Sequence, residues 1–205
     1  MKKIVKGLLV ATMIAPVALN AFGMGLSVPV YTNVEHDQTS SSDYYVEWEE
    51  DSVSGFGLVI DTNIGKNKLY NWRLNIESTE VEGKYGGEFD RISFVNTFGF
   101  SLFRNERVRV FAGPRLNIGI EERGSDGSGV EVSIAPAVGV NVHLGSVVSL
   151  GLDIDYKISA LSTSIGDYDY GYYDRDYDED LSGMMARFYI LFKFGEKYAY
   201  RNKLR

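Results

Sequence analysis

Thirteen charged side chains stand out among those at odd-numbered positions within alternating segments of this chain. They are Arg73, Arg107, Arg109, Arg115, Lys157, Arg187 and Lys193, with Asp61, Glu77, Glu121, Glu131, Asp153 and Asp155. The two signs nearly cancel. Charges withdrawn from water persist only when paired and hydrogen-bonded. The chemistry expected of this set is therefore an internal ion-pair network, with Arg73, Glu77, Arg109, Arg115, Asp153, Asp155, Lys157 and Arg187 as its members. The competing chemistry is a gated ion path along the same groups.

Two histidines test for catalysis. His36 lies near Asp37, Ser40, Ser41 and Ser42, the one cluster in which a histidine could activate a nucleophile. A lone histidine among serines is more often simply solvated. His143 reads as an inward hydrogen-bonding residue, and no nucleophile-elbow or zinc-binding spacing is present. The acidic stretch from Asp167 to Asp180 carries seven acids and one arginine. Within it, Asp167-x-Asp169-x-Gly171 resembles the opening of a calcium loop, and Asp174 and Asp176 extend the weak set. The closing Glu of the twelve-residue pattern is missing. Tyr44, Trp48, Tyr168, Tyr170 and Tyr172 supply rigid amphipathic area of the kind binding surfaces use. A solvated acidic surface is the plain alternative for all of these loops. No cofactor is expected.

The elements that must position these groups are strands. Eight segments alternate with period two, at about Met24–Val34, Gly55–Ile64, Leu69–Thr79, Arg91–Phe103, Arg107–Glu121, Val130–Leu144, Val148–Leu161 and Gly183–Phe194. Even positions carry aliphatic and aromatic residues; odd positions carry Gly, Ser, Ala, Asn or charge. No stretch keeps a helical period long enough to compete. Tight turns at Gly65–Lys68, Arg104–Glu106 and Gly145–Ser146 alternate with longer polar linkers near 35–53, 80–90, 122–129 and 162–182. The parity of Tyr44, Val46 and Trp48 continues the second strand, so a hairpin is expected to project there.

Residues 1–21 read as a cleaved secretion signal. Lys2, Lys3 and Lys6 precede the apolar run Gly7–Ala15, Pro16 breaks it, and a small-residue site ends at Ala21. That run is too short to cross a bilayer as a helix. With three of the 21 basic residues and none of the 28 acids removed, residues 22–205 carry a formal net charge of −10. Nucleic acid demands the opposite sign and is excluded as a partner. Zero cysteines exclude disulfides and thiolate metal sites.

Period two alone leaves open which face looks inward. A soluble lipocalin-like periplasmic binder would turn its apolar face in. The small residues on the other face suit the crowded interior of an eight-stranded barrel instead, and short turns opposite long loops are the topology of an outer-membrane barrel. The expected fold is an all-β, eight-stranded antiparallel up-and-down transmembrane β-barrel. Tyr70, Trp72, Phe100, Phe192 and Phe194 fall near the short-turn strand ends, where an interfacial girdle belongs. Pro29, Pro114 and Pro136 fall inside strands, and Pro114 and Pro136 lie roughly opposite each other, so local bulges are expected there. Asn96 is a polar misfit on the apolar face.

The eight-strand pattern, the export signal and the aromatic closing strand Phe188-Tyr189-Ile190-Leu191-Phe192-Lys193-Phe194 resemble small outer-membrane barrels of the OmpA/OmpX type. The resemblance is architectural and covers nearly all of residues 22–205. It implies a monomer in the outer membrane, contacting lipid and lipopolysaccharide and delivered by the barrel assembly machinery. Gly195–Arg205, a short basic tail, departs from the aromatic end usual in that family. The function it implies is a non-enzymatic surface scaffold, with a host or matrix ligand at the loops as the adhesive variant. A narrow porin-like ion channel is the rival. An outer-leaflet lipid-modifying enzyme ranks below both.

Overall fold

The computed structural model describes residues 22–40, 45–62, 69–84, 87–122, 128–165 and 177–194. Residues 1–21, expected to be a secretion signal, the tail 195–205 and the stretch 166–176 lie outside them. The described residues form ten strands: β1 (Phe22–Thr32), β2 (Glu35–Ser40), β3 (Tyr45–Thr62), β4 (Tyr70–Gly83), β5 (Glu88–Arg104), β6 (Val108–Glu122), β7 (Ser128–His143), β8 (Val148–Lys157), β9 (Ser159–Ile165) and β10 (Tyr177–Phe194). Each pairs antiparallel with its neighbours, and β1 pairs with β10 from Phe22↔Phe194 upward, which closes the ring.

Ten strands make eight staves. β1 and β2 both lie between β10 and β3, so they form one stave interrupted at Asn33–Val34. The break is stitched by Asn33 N–H donating to the Met184 carbonyl at 3.1 Å and Met184 N–H donating to Asn33 Oδ1 at 2.8 Å. Gly183, at φ +148°, permits that approach; a Cβ there would lie 2.5 Å from the Asn33 carbonyl oxygen. β8 and β9 form a second stave, interrupted at Ile158. Stretches expected as loops are strand: β2 and β3 occupy 35–40 and 45–53, and β10 begins at Tyr177.

The wall separates two chemistries. Outward residues are apolar and exposed, among them Leu26, Phe56, Leu58, Phe98, Phe100 and Ile134, while the inward face buries Arg73, Arg115, Asp153 and Lys157. A water-soluble barrel would reverse this, so the belt faces lipid. Tyr70, Phe100, Phe192 and Phe194 are exposed at the short-turn end, where Phe22 stacks on Phe194 at 5.2 Å between ring centres. Toward the long loops the belt stops abruptly. The row beyond Phe56, Ile92 and Ile120 is Ser54, Glu80, Asp90 and Glu122, in cross-strand register. β3 and β10 reach 18 residues each, against about 9–11 needed to span the hydrocarbon, so the wall continues past the membrane.

Bulges locally reverse the inward parity. One between Pro29 and Tyr31 leaves Tyr31 exposed and turns Thr32 inward; another between Glu50 and Ser52 turns Glu50 inward. The bulges expected at Pro114 and Pro136 are absent from the β6–β7 ladder itself; the irregularity falls instead on the far side of Pro136. The two residues are direct partners, and the β6–β7 register runs without a shift from Val108↔Val142 to Glu122↔Ser128. Two residues that both lack an N–H can face each other only at a non-hydrogen-bonded position. Their missing donors then fall on the outer neighbours. There the β5–β6 pairing skips from Thr97↔Arg115 to Phe100↔Ala112, and the β8–β9 stave changes register opposite Pro136. Asn96, on the lipid side, is 6 % exposed and its amide nitrogen has no partner.

A ring closed by its first and last strands resists SDS until it is heated. Unboiled protein is expected to migrate apart from the boiled band. A single unchanged band would contradict the closed ring.

Candidate functional site

The interior is the site that the fold constructs. Small inward residues leave room, and long charged side chains fill it: seven carboxylates and six cations are buried among the described residues. They form three connected tiers.

Toward the short turns the centre is Arg73, which is fully buried. Its Nε and Nη2 donate to Asp61 Oδ2 at 2.9 and 2.6 Å, Nη2 also to Asn141 Oδ1 at 2.8 Å, and Nη1 to Asp153 Oδ2 at 3.1 Å. The guanidinium carbon sits 4.9 Å from the Phe111 ring centre and 4.5 Å from that of Tyr189. Cation–π contact in a desolvated place adds to the ionic pairing. Arg109 donates to Ser101 Oγ at 2.8 Å and to Asn71 Oδ1 at 3.2 Å.

The middle tier interlocks two arginines with three acids. Arg115 donates to Thr97 Oγ1 and Asp153 Oδ2, at 2.8 and 2.7 Å, and pairs with Asp155. Arg187 donates to Glu77 Oε2 at 2.9 Å and also pairs with Asp155. The Tyr189 hydroxyl donates to Asp153 Oδ2 at 2.7 Å and accepts from Asn75 Nδ2 at 3.1 Å. Towards the long loops, Arg91 donates to Glu121 at 2.9 Å and pairs with Glu50, which also accepts from Thr32 Oγ1. Lys157 Nζ lies 2.8 Å from Glu131 Oε1, which Asn117 and Ser133 also approach as donors.

Strand parity places Arg73, Glu77, Arg109, Arg115, Asp153, Asp155, Lys157 and Arg187 inside, and the structure brings all eight into these tiers. Arg107 departs from its expected inward position. It stands exposed in the β5–β6 turn, where its own N–H and that of Val108 donate to Asn105 Oδ1, and that turn holds it outside the lumen. Lys193 is only half-buried. Four lumen residues were not singled out from the sequence. Arg91, Phe111 and Tyr189 sit at odd positions, so the same parity marks them; Glu50 is even and is reached only through the bulge beside it.

The remaining candidates are distributed differently. His143 is half-buried beside Ser149, its Nδ1 against the hydroxyl. His36 lies in β2 opposite Trp48 and Leu181 by backbone register. Tyr44, Ser41, Ser42, Tyr168, Tyr170, Tyr172, Asp167, Asp169, Asp174 and Asp176 lie outside the described residues. Among the described residues no group of three His, Asp or Glu is arranged to hold a metal ion.

No family model matches the chain, and no curated protein matches it in sequence. Solved structures do match in fold. The outer membrane protein OprG from Pseudomonas aeruginosa is 12 % identical at a TM-score of 0.55, over 85 % of this chain and 94 % of its own. The outer membrane protein AlkL, solved in lipid bilayers, is 12 % identical at 0.56, over 90 % and 95 %. The fold is that of small eight-stranded outer-membrane barrels.

Arg73 bridges Asp61 and Asp153 in the interior, so its loss should be costly. Arg73→Met leaves Asp61 and Asp153 short of a cation, and a loss of about 3–5 kcal/mol is expected in urea unfolding from detergent or lipid. Tyr189→Phe removes one hydroxyl and should cost about 1–3 kcal/mol. Glu80→Gln, on the exposed rim, should leave the midpoint unchanged.

Proposed function

Starting from a barrel of the outer-membrane type, we propose that this chain is a non-enzymatic surface scaffold, anchored in lipid and lipopolysaccharide, that presents acidic, tyrosine-rich loops for adhesion. The observation carrying this reading is the lumen. Eight strands leave a bore that side chains fill, and here paired charges occupy it in all three tiers. A solute-sized route has no place in such an interior. What a plugged barrel offers its surroundings is its surface, and β2 and β3 carry that surface past the membrane as a paired hairpin. Delivery would run through the barrel assembly machinery. Host or matrix molecules are the ligands that tyrosine-rich loops suit.

A narrow ion path is the second reading. It draws support from polar atoms of the lumen that lack a hydrogen-bond partner, including Asn75 Oδ1, Asn141 Nδ2 and Asp153 Oδ1. Such atoms favour water between the tiers.

Two measurements separate the readings. Deleting residues 167–176 spares the paired start of β10; the barrel should keep its heat-dependent mobility but lose binding to cells or matrix. Undiminished binding would overturn the adhesive role. In planar bilayers the wild type should show no discrete conductance. Regular single-channel steps that change with Asp153→Asn would favour the ion path instead.

A further inference from the structure

The short-turn mouth gathers four cations, Arg104, Arg107, Arg109 and Lys193. Arg104 and Arg109 are cross-strand partners at the end of the β5–β6 hairpin. The bulge between Ser101 and Phe103 is the cause: Leu102 and Phe103 both face outward, 70 and 54 % exposed, and Arg104 turns to the side of Arg109. Arg107 stands exposed in the turn that follows, and its carbonyl accepts from His143 N–H at 2.7 Å. Farther round the rim, the Lys193 ammonium donates to the Gly145 carbonyl at 2.7 Å. Among the described residues, acids do not match these cations in number. Asp61 is held by Arg73 and Asn71, and Glu106 is the single carboxylate of the β5–β6 turn.

Two further facts point to a missing acceptor. Arg109 spends its Nε and Nη2 on Ser101 and Asn71, whereas Arg104 Nη1 is buried with no hydrogen-bond partner. Like charges directly opposite one another destabilise a sheet, and a buried N–H left unpaired is costly. An oxyanion at this corner removes both penalties, and a guanidinium fork matches phosphate in geometry and charge.

We propose that the short-turn mouth is a phosphate-binding site, with Arg104 and Arg107 as the direct ligands and Arg109 as the fixed charge behind them. The phosphate would come either from a soluble phosphate compound or from a lipid headgroup of the adjoining leaflet. The site is independent of the loops at the opposite end, so its failure leaves the adhesive reading untouched.

The test uses the full barrel in nanodiscs. In pure phosphatidylcholine discs, inorganic pyrophosphate is titrated by calorimetry. In a second arm, discs containing phosphatidylglycerol are compared for lipid retained with the barrel by native mass spectrometry. Saturable pyrophosphate binding assigns a soluble source, and selective phosphatidylglycerol retention assigns the headgroup. In either arm Arg104→Gln and Arg107→Gln should each weaken binding by about tenfold, while Glu80→Gln at the far rim should not. Arg107 lies in an exposed turn, so its variant keeps the test alive if the Arg104 variant fails to fold. Absence of both signals in the wild type, or binding unchanged in the double variant, would overturn the proposal.

Discussion

Hydrocarbon offers a peptide group no hydrogen-bond partner, so a strand in a bilayer survives only in a ring whose two ends meet. That requirement determines the rest of the molecule. Closing the ring with eight staves fixes a narrow bore, and the bore dictates what can point inward. Gly57, Gly99, Gly139 and Gly151 line it where large neighbours crowd. Beside them the long cations fill the remaining volume. A Cβ on Gly139, for example, would lie 2.3 Å from the Phe111 ring that covers Arg73.

A filled bore raises its own electrostatic difficulty. Thirteen buried ionic groups are tolerable where pairing is shared. Arg73, Arg91, Arg115 and Arg187 each meet more than one acid, and Asp153, Asp155 and Glu131 each meet more than one donor. Asp153 shows the economy. A single carboxylate oxygen accepts from Arg73, Arg115 and Tyr189, which come from three different strands. The network therefore ties distant parts of the wall together across the lumen, and the backbone ladder ties adjacent ones. Buried pairs are weak evidence of net stability. Their stronger effect here is on register. A strand slipped by one residue would send its charges into lipid and its aliphatic residues into a charged interior.

That same penalty explains what could be read from the residues alone. Arg73, Arg115, Asp153 and Arg187 stand on the inner face because parity is a local property of each strand, visible without knowing its neighbours. Glu50 escaped that rule. A bulge is a mismatch of length between two paired strands, so no single segment records it, and Glu50 looks like part of an acidic loop. The prolines misled for a related reason. Whether Pro114 disrupts a ladder depends on which side its missing donor faces, and that is set by the register with Pro136 across the hairpin. Strand ends beyond the belt were also obscured, since hydropathy marks where lipid ends and β3 continues past it.

The pairing of β1 with β10 has a consequence for how the molecule comes to exist. Phe22 finds its partner in Phe194, near the far end of the chain. Until β10 is made, the edge of β1 has nothing to pair with on that side, and Arg187 and Tyr189 are absent from the middle tier. Contacts of such long sequence separation form slowly, because loop closure must precede any reward. Maturation is thus all-or-none in time as well as in space. A copy that lacks its last strand leaves one edge of β1 and one edge of β8 unpaired, and so exposes in lipid the backbone groups that the closed ring satisfies.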